Sequence, residues 1–357
     1  MKLLYISSRD VFVKHHGGFQ CTNRNYLSFC ELIGSDNIEV INLVEKKLPL
    51  HRSILKRLYL LLGFYWGLTP GKLKNIINIS QKYDYVFIDQ SFYGVIAWYL
   101  KRSNYKGKII CFFHNVEYNI QCQRTKANPL RIWNILIMYY NEKKACKYSD
   151  KLVVLNKRDC MELQRIYGVT KISIIPISLA DTFKSEVTEL TSSPSTLIFI
   201  GNNWLPNIHG LKWFVSNVLD HVDIKLQIVG TGMDVLKEKF KHPKIEFLGY
   251  IPDLSQILSK ADYVLSPIFI GGGMKVKTCE SLMYGKNIIG TKEAFEGYDL
   301  DYQKAGALCN NKEEFIHTIN NYCSVKREKF NEYSRNCFLA KYSFQATLKN
   351  FDDLLSN

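Results

Sequence analysis

One stretch constrains the fold of this chain more than any other: residues 270–286, which read IGGGMKVKTCESLMYGK. The apolar run Asp262–Pro267 precedes the three glycines, and a run with helical spacing follows them as far as Gly285. A glycine-rich turn between a strand and a helix lets backbone amides approach a ligand closely and point at an anion. The stretch therefore predicts a βα unit whose turn binds a phosphate-like group.

Two lysines in the first turn of the predicted helix bear on that interpretation. Lys275 and Lys277 lie where the helix dipole repels cations, so they cost stability unless an anion offsets them. Glu280 lies one turn after Lys277, and the alternative is a surface pair of these two residues worth about 0.2–0.5 kcal/mol. The glycines, the lysines and the following acid together favour phosphate binding.

Buried-strand and helix patterns alternate along the whole chain, and a polar segment rich in Ser and Thr, Asp181–Pro194, separates two such series. This pattern predicts an α/β protein of two Rossmann-like domains with a ligand cleft between them. The predicted strands are residues 2–7, 38–43, 85–88, 108–113, 151–155 and 172–175, then 195–200, 225–229, 245–248, 262–267 and 287–290. The predicted helices include 92–101, 129–147, 157–167, 209–218, 233–240, 312–322, 326–341 and 344–355.

Composition limits the partners of the chain. The 47 Lys and Arg against 33 Asp and Glu give a net charge of +14, which favours nucleic acid, anionic lipid or a phosphorylated substrate. We expect no nucleic acid, because zinc-finger spacing and an aromatic RNA-binding motif are both missing. Gly230-x-Gly232 lacks the third glycine of a dinucleotide fingerprint, which argues against NAD or FAD.

The ten cysteines contain no C-x-x-C pair, and the start, MKLLYISSRD, is too short and too soon polar for a signal peptide. Both features predict a reducing, cytoplasmic location.

The most apolar stretch, Leu58–Leu68, is well short of the roughly 20 residues that span a bilayer. Lysines and arginines flank it across residues 46–74. The pattern is typical of an interfacial segment that touches lipid, and equally of a helix buried under a loop.

Polar residues also follow the predicted strand 108–113, in the order His114-Asn115-Val116-Glu117-Tyr118. Open α/β sheets bind ligands at the carboxyl ends of their strands. His114 is therefore either a ligand contact or a satisfied structural residue. Gly17-Gly18, after the first strand, either opens the backbone to a ligand or only makes a sharp turn.

These motifs resemble the GT-B glycosyltransferases, and within them the retaining glycosyltransferase family 4 group that includes bacterial polysaccharide enzymes. HNVEY at 114–118 and EGY at 296–298 also match this group. The residues that match its two longer motifs are Gly271, Gly272, Gly273, Lys275, Lys277, Glu280 and Gly285, and Phe199, Gly201, Pro206, Asn207, Gly210, Leu211, Trp213 and Phe214.

The sequence departs from the group at three places. Many members carry a Glu-x7-Glu pair, and Gly272 stands where they have the first Glu. The Arg/Lys pair that many relatives place after the first strand of the second domain is missing from GNNWLPN at 201–207. Ser281, Met283 and Asn287 replace the small residues and the proline of the motif.

The resemblance implies a GT-B fold with residues 1–182 as the acceptor-side domain and 183–341 as the nucleotide-sugar-binding domain, and with a C-terminal helix, about 342–357, that returns to the first. It implies a retaining enzyme that moves a sugar from a nucleotide diphosphate sugar to a lipid-linked saccharide in surface polysaccharide synthesis. Such a protein would work in the cytoplasm, peripherally on the inner face of an anionic membrane.

Site roles follow from the same resemblance. His114, Lys277 and Glu280 would be catalytic, and Asn115 and Glu117 would contact the acceptor. With no Asp-x-Asp motif placed to hold a metal, the lysines would neutralise the diphosphate without a metal or another cofactor. The residues implied to bind the donor are Gly17, Gly18, Gly201, Asn202, Tyr250, Ile251, Gly271, Gly272, Gly273, Met274, Lys275, Lys277 and Glu280.

Two other functions fit the same architecture. A GT-B sugar-nucleotide epimerase would need several acid/base carboxylates, for which the sequence offers few candidates. A catalytically inert nucleotide-sugar-binding subunit would keep the phosphate motif without turnover. A nucleic-acid binder would explain the charge alone.

Overall fold

The computed structural model describes residues 1–12, 17–43, 59–60, 62–65, 67–127, 132–184 and 189–356. The chain divides into two compact units, residues 1–176 with 347–357, and residues 177–346. In the basic apolar segment 46–74, residues 46–58, 61 and 66 lie outside the described residues. No helix in the described part of the chain is both long and apolar enough to cross a membrane.

The first unit contains a parallel sheet of six strands in the order β2-β1-β3-β4-β5-β6. Its central strands are buried on both faces, as expected of a parallel sheet covered by helices. The elements are β1 (Leu3–Ser7), α1 (Gly17–Ile33), β2 (Ile38–Asn42), α2 (Pro70–Ser80), β3 (Tyr85–Ile88), α3 (Gly94–Arg102), β4 (Lys108–Phe113), α4 (Glu117–Ala127), α5 (Ile132–Tyr148), β5 (Lys151–Val154), α6 (Lys157–Tyr167) and β6 (Ile172–Ile174).

The second unit repeats this architecture with the strand order β12-β11-β10-β7-β8-β9, again all parallel. Counted within the unit, the order is 3-2-1-4-5-6 from β9, which is that of a Rossmann sheet. The elements are β7 (Ser195–Ile200), α7 (Leu205–Asn217), β8 (Ile224–Val229), β9 (Ile245–Gly249), α8 (Ser255–Lys260), β10 (Tyr263–Ser266), α9 (Val276–Met283), β11 (Ile288–Gly290), α10 (Tyr302–Ala305), β12 (Gly306–Leu308), α11 (Lys312–Ser324) and α12 (Glu332–Cys337).

The last helix, α13 (Phe344–Ser356), packs on the first sheet. The ring of Phe351 lies 5.0 Å from that of Phe29, and the hydroxyl of Tyr85 donates to the carbonyl of Leu355 at 3.0 Å. The first unit is therefore built from both ends of the described chain.

Two predicted helices are wrong in extent. The segment predicted at 233–240 is a 3₁₀ turn, Met233–Leu236, with i to i+3 hydrogen bonds such as Lys237 N to Asp234 O. The segment predicted at 326–341 begins in an extended conformation, because Arg327 and Lys329 pair with the backbone of residues 189–191. Asn331 then caps α12 by accepting from Ser334 N, and a π-helical turn continues to Tyr342.

The sequence did not predict the start of one helix or the presence of several further elements. The predicted helix 209–218 begins earlier, at Leu205, because Pro206 fits the first turn of a helix. The sequence also did not predict α4, α10 or β12, and the last of these pairs with β11 only through long-range contacts.

Candidate active site

The second sheet reverses its strand order between β7 and β10. Open α/β sheets bind ligands in the crevice outside the carboxyl ends of their strands, at such a switch point. Gly201 and Asn202 follow β7, and the loop with the three glycines follows β10. The fold therefore brings these predicted donor residues to one edge of one sheet.

The glycine-rich loop requires glycine for its backbone. Gly271 has a φ of 144° and Gly273 a φ of 61°, and L side chains rarely adopt either conformation. The loop ends at Lys275, the residue before α9. A lysine side chain cannot accept a hydrogen bond, so it cannot cap the first amides of the helix. An anion above this loop would meet those amides and the positive end of the helix dipole.

Lys277, in the first turn of α9, points back toward the end of β7. Its Nζ donates to Asn207 Oδ1 at 2.7 Å and lies 4.5 Å from the centre of the Phe199 ring. Burial lowers the pKa of Lys277 to about 7, and the charge of Lys275 adds to the effect while Glu280 opposes it. Lys277 is thus a partly neutralised amine, and a bound anion would restore its charge.

Lys275 is held on the other side of the loop. Its Nζ lies 2.6 Å from Glu293 Oε1 and donates to Gly273 O at 2.9 Å. Both side chains of the pair are largely buried. A diphosphate on this loop would therefore meet a lysine that already has a carboxylate partner.

Asn207 is a member of this site that was not predicted as a site residue. Its Nδ2 donates to Asn202 O and Asn202 Oδ1, both at 3.0 Å, while its Oδ1 accepts from Lys277. One amide thereby joins the end of β7 to the first turn of α9. The signal was in the sequence, because Asn207 belongs to the motif that also contains Gly201.

Five other predicted donor residues have different surroundings. Met274 is buried, and its Sδ accepts from Ile177 N at 3.5 Å. Tyr250 and Ile251 follow β9, the edge strand beside β8, and the Tyr250 side chain is exposed. Gly272 lies within the loop, and Glu280 is half-buried in the middle of α9.

His114, at the end of β4 in the first unit, lies against a buried carboxylate. Its Nε2 is 3.3 Å from Asp89 Oδ1, at the end of the neighbouring strand β3. Burial alone would lower the pKa of His114, but the charge of Asp89 raises it to about 9. His114 is accordingly a cation at neutral pH, which the sequence did not indicate.

Asp89 is the centre of a hydrogen-bond network at the carboxyl ends of β1, β3 and β4. Burial would raise its pKa, yet the charge of His114 and a hydrogen bond from Thr22 lower it. Its donors are Tyr5 Oη (2.9 Å), Ser7 Oγ (3.1 Å), Thr22 Oγ1 (2.6 Å), Asn25 Nδ2 (3.0 Å) and Gln90 Nε2 (2.6 Å).

The predicted acceptor contacts lie just beyond His114. Asn115 Nδ2 lies 3.4 Å from Glu117 Oε1, and both residues are half-buried. The buried Glu142 of α5 accepts from Glu117 N at 2.8 Å and Tyr118 N at 3.1 Å, so it caps α4. Burial raises the pKa of Glu142 to about 7.

Gly17 and Gly18 begin α1, and the carbonyl of Gly18 accepts from Arg9 Nη1 at 3.1 Å. Residues 13–16, which precede them in the sequence, lie outside the described residues.

Among the described residues, no group of three or more His, Cys, Asp or Glu side chains is arranged to hold a metal ion. Asp299 and Asp301 do form an Asp-x-Asp sequence, but Asp299 pairs with Lys341 at 2.5 Å and Asp301 caps α10.

The match to a known protein family lies within the second unit. Residues 194–324 match the family described as Glycosyl transferases group 1. A search of curated protein sequences gave no match.

Solved structures resemble the chain over its whole length. Sucrose-phosphate synthase from Thermosynechococcus elongatus is 13% identical with a TM-score of 0.73, covering 99% of this chain and 98% of that chain. HepE from Anabaena, in complex with UDP and glucose, is 12% identical with a TM-score of 0.66, covering 100% and 99%. A glycosyltransferase from Rickettsia africae is 15% identical with a TM-score of 0.65, covering 99% and 97%.

Likeness at these identities establishes the fold, and the predicted GT-B architecture is confirmed. The family match covers the unit that carries the glycine-rich loop and both lysines. Residues 194–324 are a Glycosyl transferases group 1 domain, and the chain is a glycosyltransferase with the GT-B fold.

Proposed function

We propose that this glycosyltransferase takes its sugar from a nucleotide diphosphate sugar bound to the second unit. The observation that carries the proposal is the loop Gly271–Gly273 leading into α9, with Lys275 and Lys277 beside it at the switch point of the sheet. Backbone amides, a helix N-terminus and two amines form a set of donors suited to a diphosphate. HepE, a structural neighbour, was solved with UDP and with UDP-glucose, which supports the same class of donor.

In this proposal Lys277 and Lys275, with the loop amides, stabilise the negative charge that develops on the diphosphate as the sugar leaves. Such preorganised stabilisation is usually the largest catalytic contribution. Glu280 accepts hydrogen bonds from the ribose hydroxyls, and the base lies near Tyr250 and Ile251. Gly201, Asn202 and Met274 shape the rest of the donor site.

We assign the acceptor side of the reaction to the first unit. His114 contacts the transferred sugar, Asn115 and Glu117 contact the acceptor, and Gly17 and Gly18 approach the diphosphate. The anomeric configuration is retained by front-face attack, in which the acceptor hydroxyl gives its proton to the leaving phosphate. The support for His114 is its location at the carboxyl end of β4 and its fixed position beside Asp89.

The acceptor in this proposal is a lipid-linked saccharide for a surface polysaccharide, and the enzyme lies peripherally on the inner face of an anionic membrane. The net charge of +14 supports it. So does an exposed apolar stripe on α5, formed by Ile132, Trp133, Leu136 and Tyr140. Sedimentation with anionic liposomes at low salt tests this part, and a protein that stays in the supernatant contradicts it.

The donor is tested by thermal-shift measurements with UDP, GDP, ADP, CMP and TDP and their sugars. A ligand at 100 times its dissociation constant stabilises the native state by about 2.7 kcal/mol, which is readily measured. No shift with any of them would contradict the donor proposal. Turnover with the donor identified in this way distinguishes a transferase from an inert binding subunit. The absence of an epimerised nucleotide sugar among the products distinguishes it from an epimerase.

Two finer points have their own measurements. The anomeric configuration of the product, read by NMR coupling constants, tests retention. Full activity after treatment with EDTA is expected if the lysines replace a metal, whereas activity that is lost and then restored by Mg²⁺ or Mn²⁺ contradicts it.

A further inference from the structure

A carboxylate lies directly beside the glycine-rich loop. Glu293 Oε1 is 3.8 Å from the position that a Cβ on Gly271 would occupy, and 2.6 Å from Lys275 Nζ. Residues 270–274 themselves contain no acidic residue. The Glu293 side chain is 17% exposed, so it is held among other groups and can still touch a ligand.

The segment that carries Glu293 is firmly attached to α9. Thr278 Oγ1 donates to Ala294 O at 2.7 Å, and the Tyr298 hydroxyl donates to Lys275 O at 2.7 Å. Ala294 and Phe295 are fully buried. The backbone therefore holds Glu293 at the loop, and the ion pair with Lys275 sets the direction of its carboxylate.

The charge of Glu293 decides which part of a donor it can contact. A carboxylate repels a phosphate, but it accepts strong hydrogen bonds from neutral hydroxyl groups. A nucleotide diphosphate sugar has a hydroxyl-rich group at each end of the diphosphate, the ribose and the sugar, and the ribose is assigned to Glu280 in the proposed function. A carboxylate beside a diphosphate loop is thus suited to the sugar end of the donor.

We propose that Glu293 binds hydroxyl groups of the sugar in the donor and that Lys275 orients it, an inference that rests on the proposed function of this site. The residue then contributes to the choice of sugar, while the loop amides, Lys275 and Lys277 bind the diphosphate whichever sugar it carries.

The test compares each nucleotide sugar with its own nucleoside diphosphate by isothermal titration calorimetry, using UDP-glucose with UDP and GDP-mannose with GDP. For the pair that binds, Glu293→Gln is expected to weaken the nucleotide sugar at least tenfold relative to the diphosphate. The affinity for the diphosphate itself should stay the same or rise, because Lys275 loses its carboxylate partner. Asp299→Asn is the matched control, since it neutralises an exposed carboxylate–lysine pair on the same loop and should change neither affinity.

Equal changes for the two ligands, or none, would overturn the inference and leave the donor site intact. If the wild-type protein binds none of the four ligands, the same comparison is made with the pair found by thermal shift. If it binds no nucleotide sugar of that series, the proposed function itself fails, and this inference with it. Glu293→Asp is the second variant should Glu293→Gln unfold, because it keeps the charge but withdraws it from the loop. The same selective loss of the nucleotide sugar is expected.

Discussion

The carboxyl ends of the two sheets hold charge in opposite ways. In the first unit a buried carboxylate, Asp89, is surrounded by side-chain donors and by the cation of His114. In the second unit the groups that we propose face the ligand are backbone amides of a glycine loop and two lysines, and burial lowers the pKa of one of them, Lys277, to about 7. At the first edge the negative charge of Asp89 meets donors and a cation of the protein itself, whereas we propose that the second edge meets an anion from outside.

Because of this difference, we expect substitutions at the first edge to affect mainly stability and substitutions at the second edge to affect mainly ligand binding. Removing a group from the Asp89 network leaves buried partners unpaired, so its cost falls on stability. Removing Lys277 relieves a desolvated amine, so its cost falls on ligand binding. Four predictions test this contrast, beginning with the largest effect.

Asp89→Asn is expected to lower the free energy of unfolding by about 3–5 kcal/mol, because the new amide NH₂ cannot accept from the buried donors that bonded the carboxylate and His114 loses its ion-pair partner. Urea denaturation measures the change. Glu238→Gln, in the exposed pair with Lys241, should cost no more than about 1 kcal/mol. Equal effects of the two variants would show that the Asp89 network contributes no more to the stability of the protein than an exposed ion pair does.

Lys277→Ala is expected to lower kcat/KM by about 10²–10³-fold, equivalent to about 2.7–4 kcal/mol, through lost stabilisation of the diphosphate. The melting temperature should change little, since removal of a desolvated amine offsets the hydrogen bond that Asn207 loses. Lys225→Ala, at an exposed position of β8, is the control. Retained affinity for every nucleotide sugar would contradict the assignment of the site.

Glu142→Gln is expected to cost about 1–3 kcal/mol, because one of two backbone amides at the start of α4 loses its acceptor. In steady-state kinetics the variant should raise KM for the acceptor and leave the affinity for the nucleoside diphosphate unchanged. A change in diphosphate affinity alone would contradict the division of roles between the units.

The smallest effect is a pH dependence that distinguishes the two edges. The pKa of Lys277 in the folded protein, about 7, lies below the ordinary value of a lysine. Above pH 7 the amine is therefore mostly neutral, and an anion that binds its ammonium form must bind together with a proton. Between pH 7.5 and 9 the affinity for UDP or GDP should fall by up to about tenfold per pH unit. Lys277→Ala should remove this slope.

His114, with its pKa of about 9, keeps its charge through most of that range. His114→Gln should therefore leave the slope of diphosphate affinity as it is in the wild type. A slope that persists in Lys277→Ala and disappears in His114→Gln would show that the first unit controls donor binding.

Much of the fold was readable from the sequence, because parallel strands buried on both faces appear as continuous apolar runs. The glycine loop was readable for a local reason: its glycines, lysines and helix are contiguous, and each residue type has a physical purpose at its position. The errors fell where local pattern is ambiguous. Residues 326–330 have helical composition, but pairing with the backbone of residues 189–191 holds them extended.

The candidate site divides in the same way. Lys275 and Lys277 were predicted, but their partners Glu293 and Asn207 come from 18 and 70 residues away. The donors around Asp89 come from β1 and α1, between 64 and 84 residues distant, and from the adjacent Gln90. No periodicity or local motif encodes such separations.

The sequence by itself determined two α/β halves and a glycine-rich loop between a strand and a helix, since both follow from burial period and backbone conformation along contiguous residues. Only the tertiary structure decided the charge states of the site. It placed His114 beside Asp89, whose charge raises the pKa of the histidine to about 9, and it buried Lys277 over Phe199, which lowers the pKa of the lysine to about 7. It also made Glu293 a neighbour of Gly271. A charge in a protein depends on what surrounds it in space, and sequence order does not fix those surroundings.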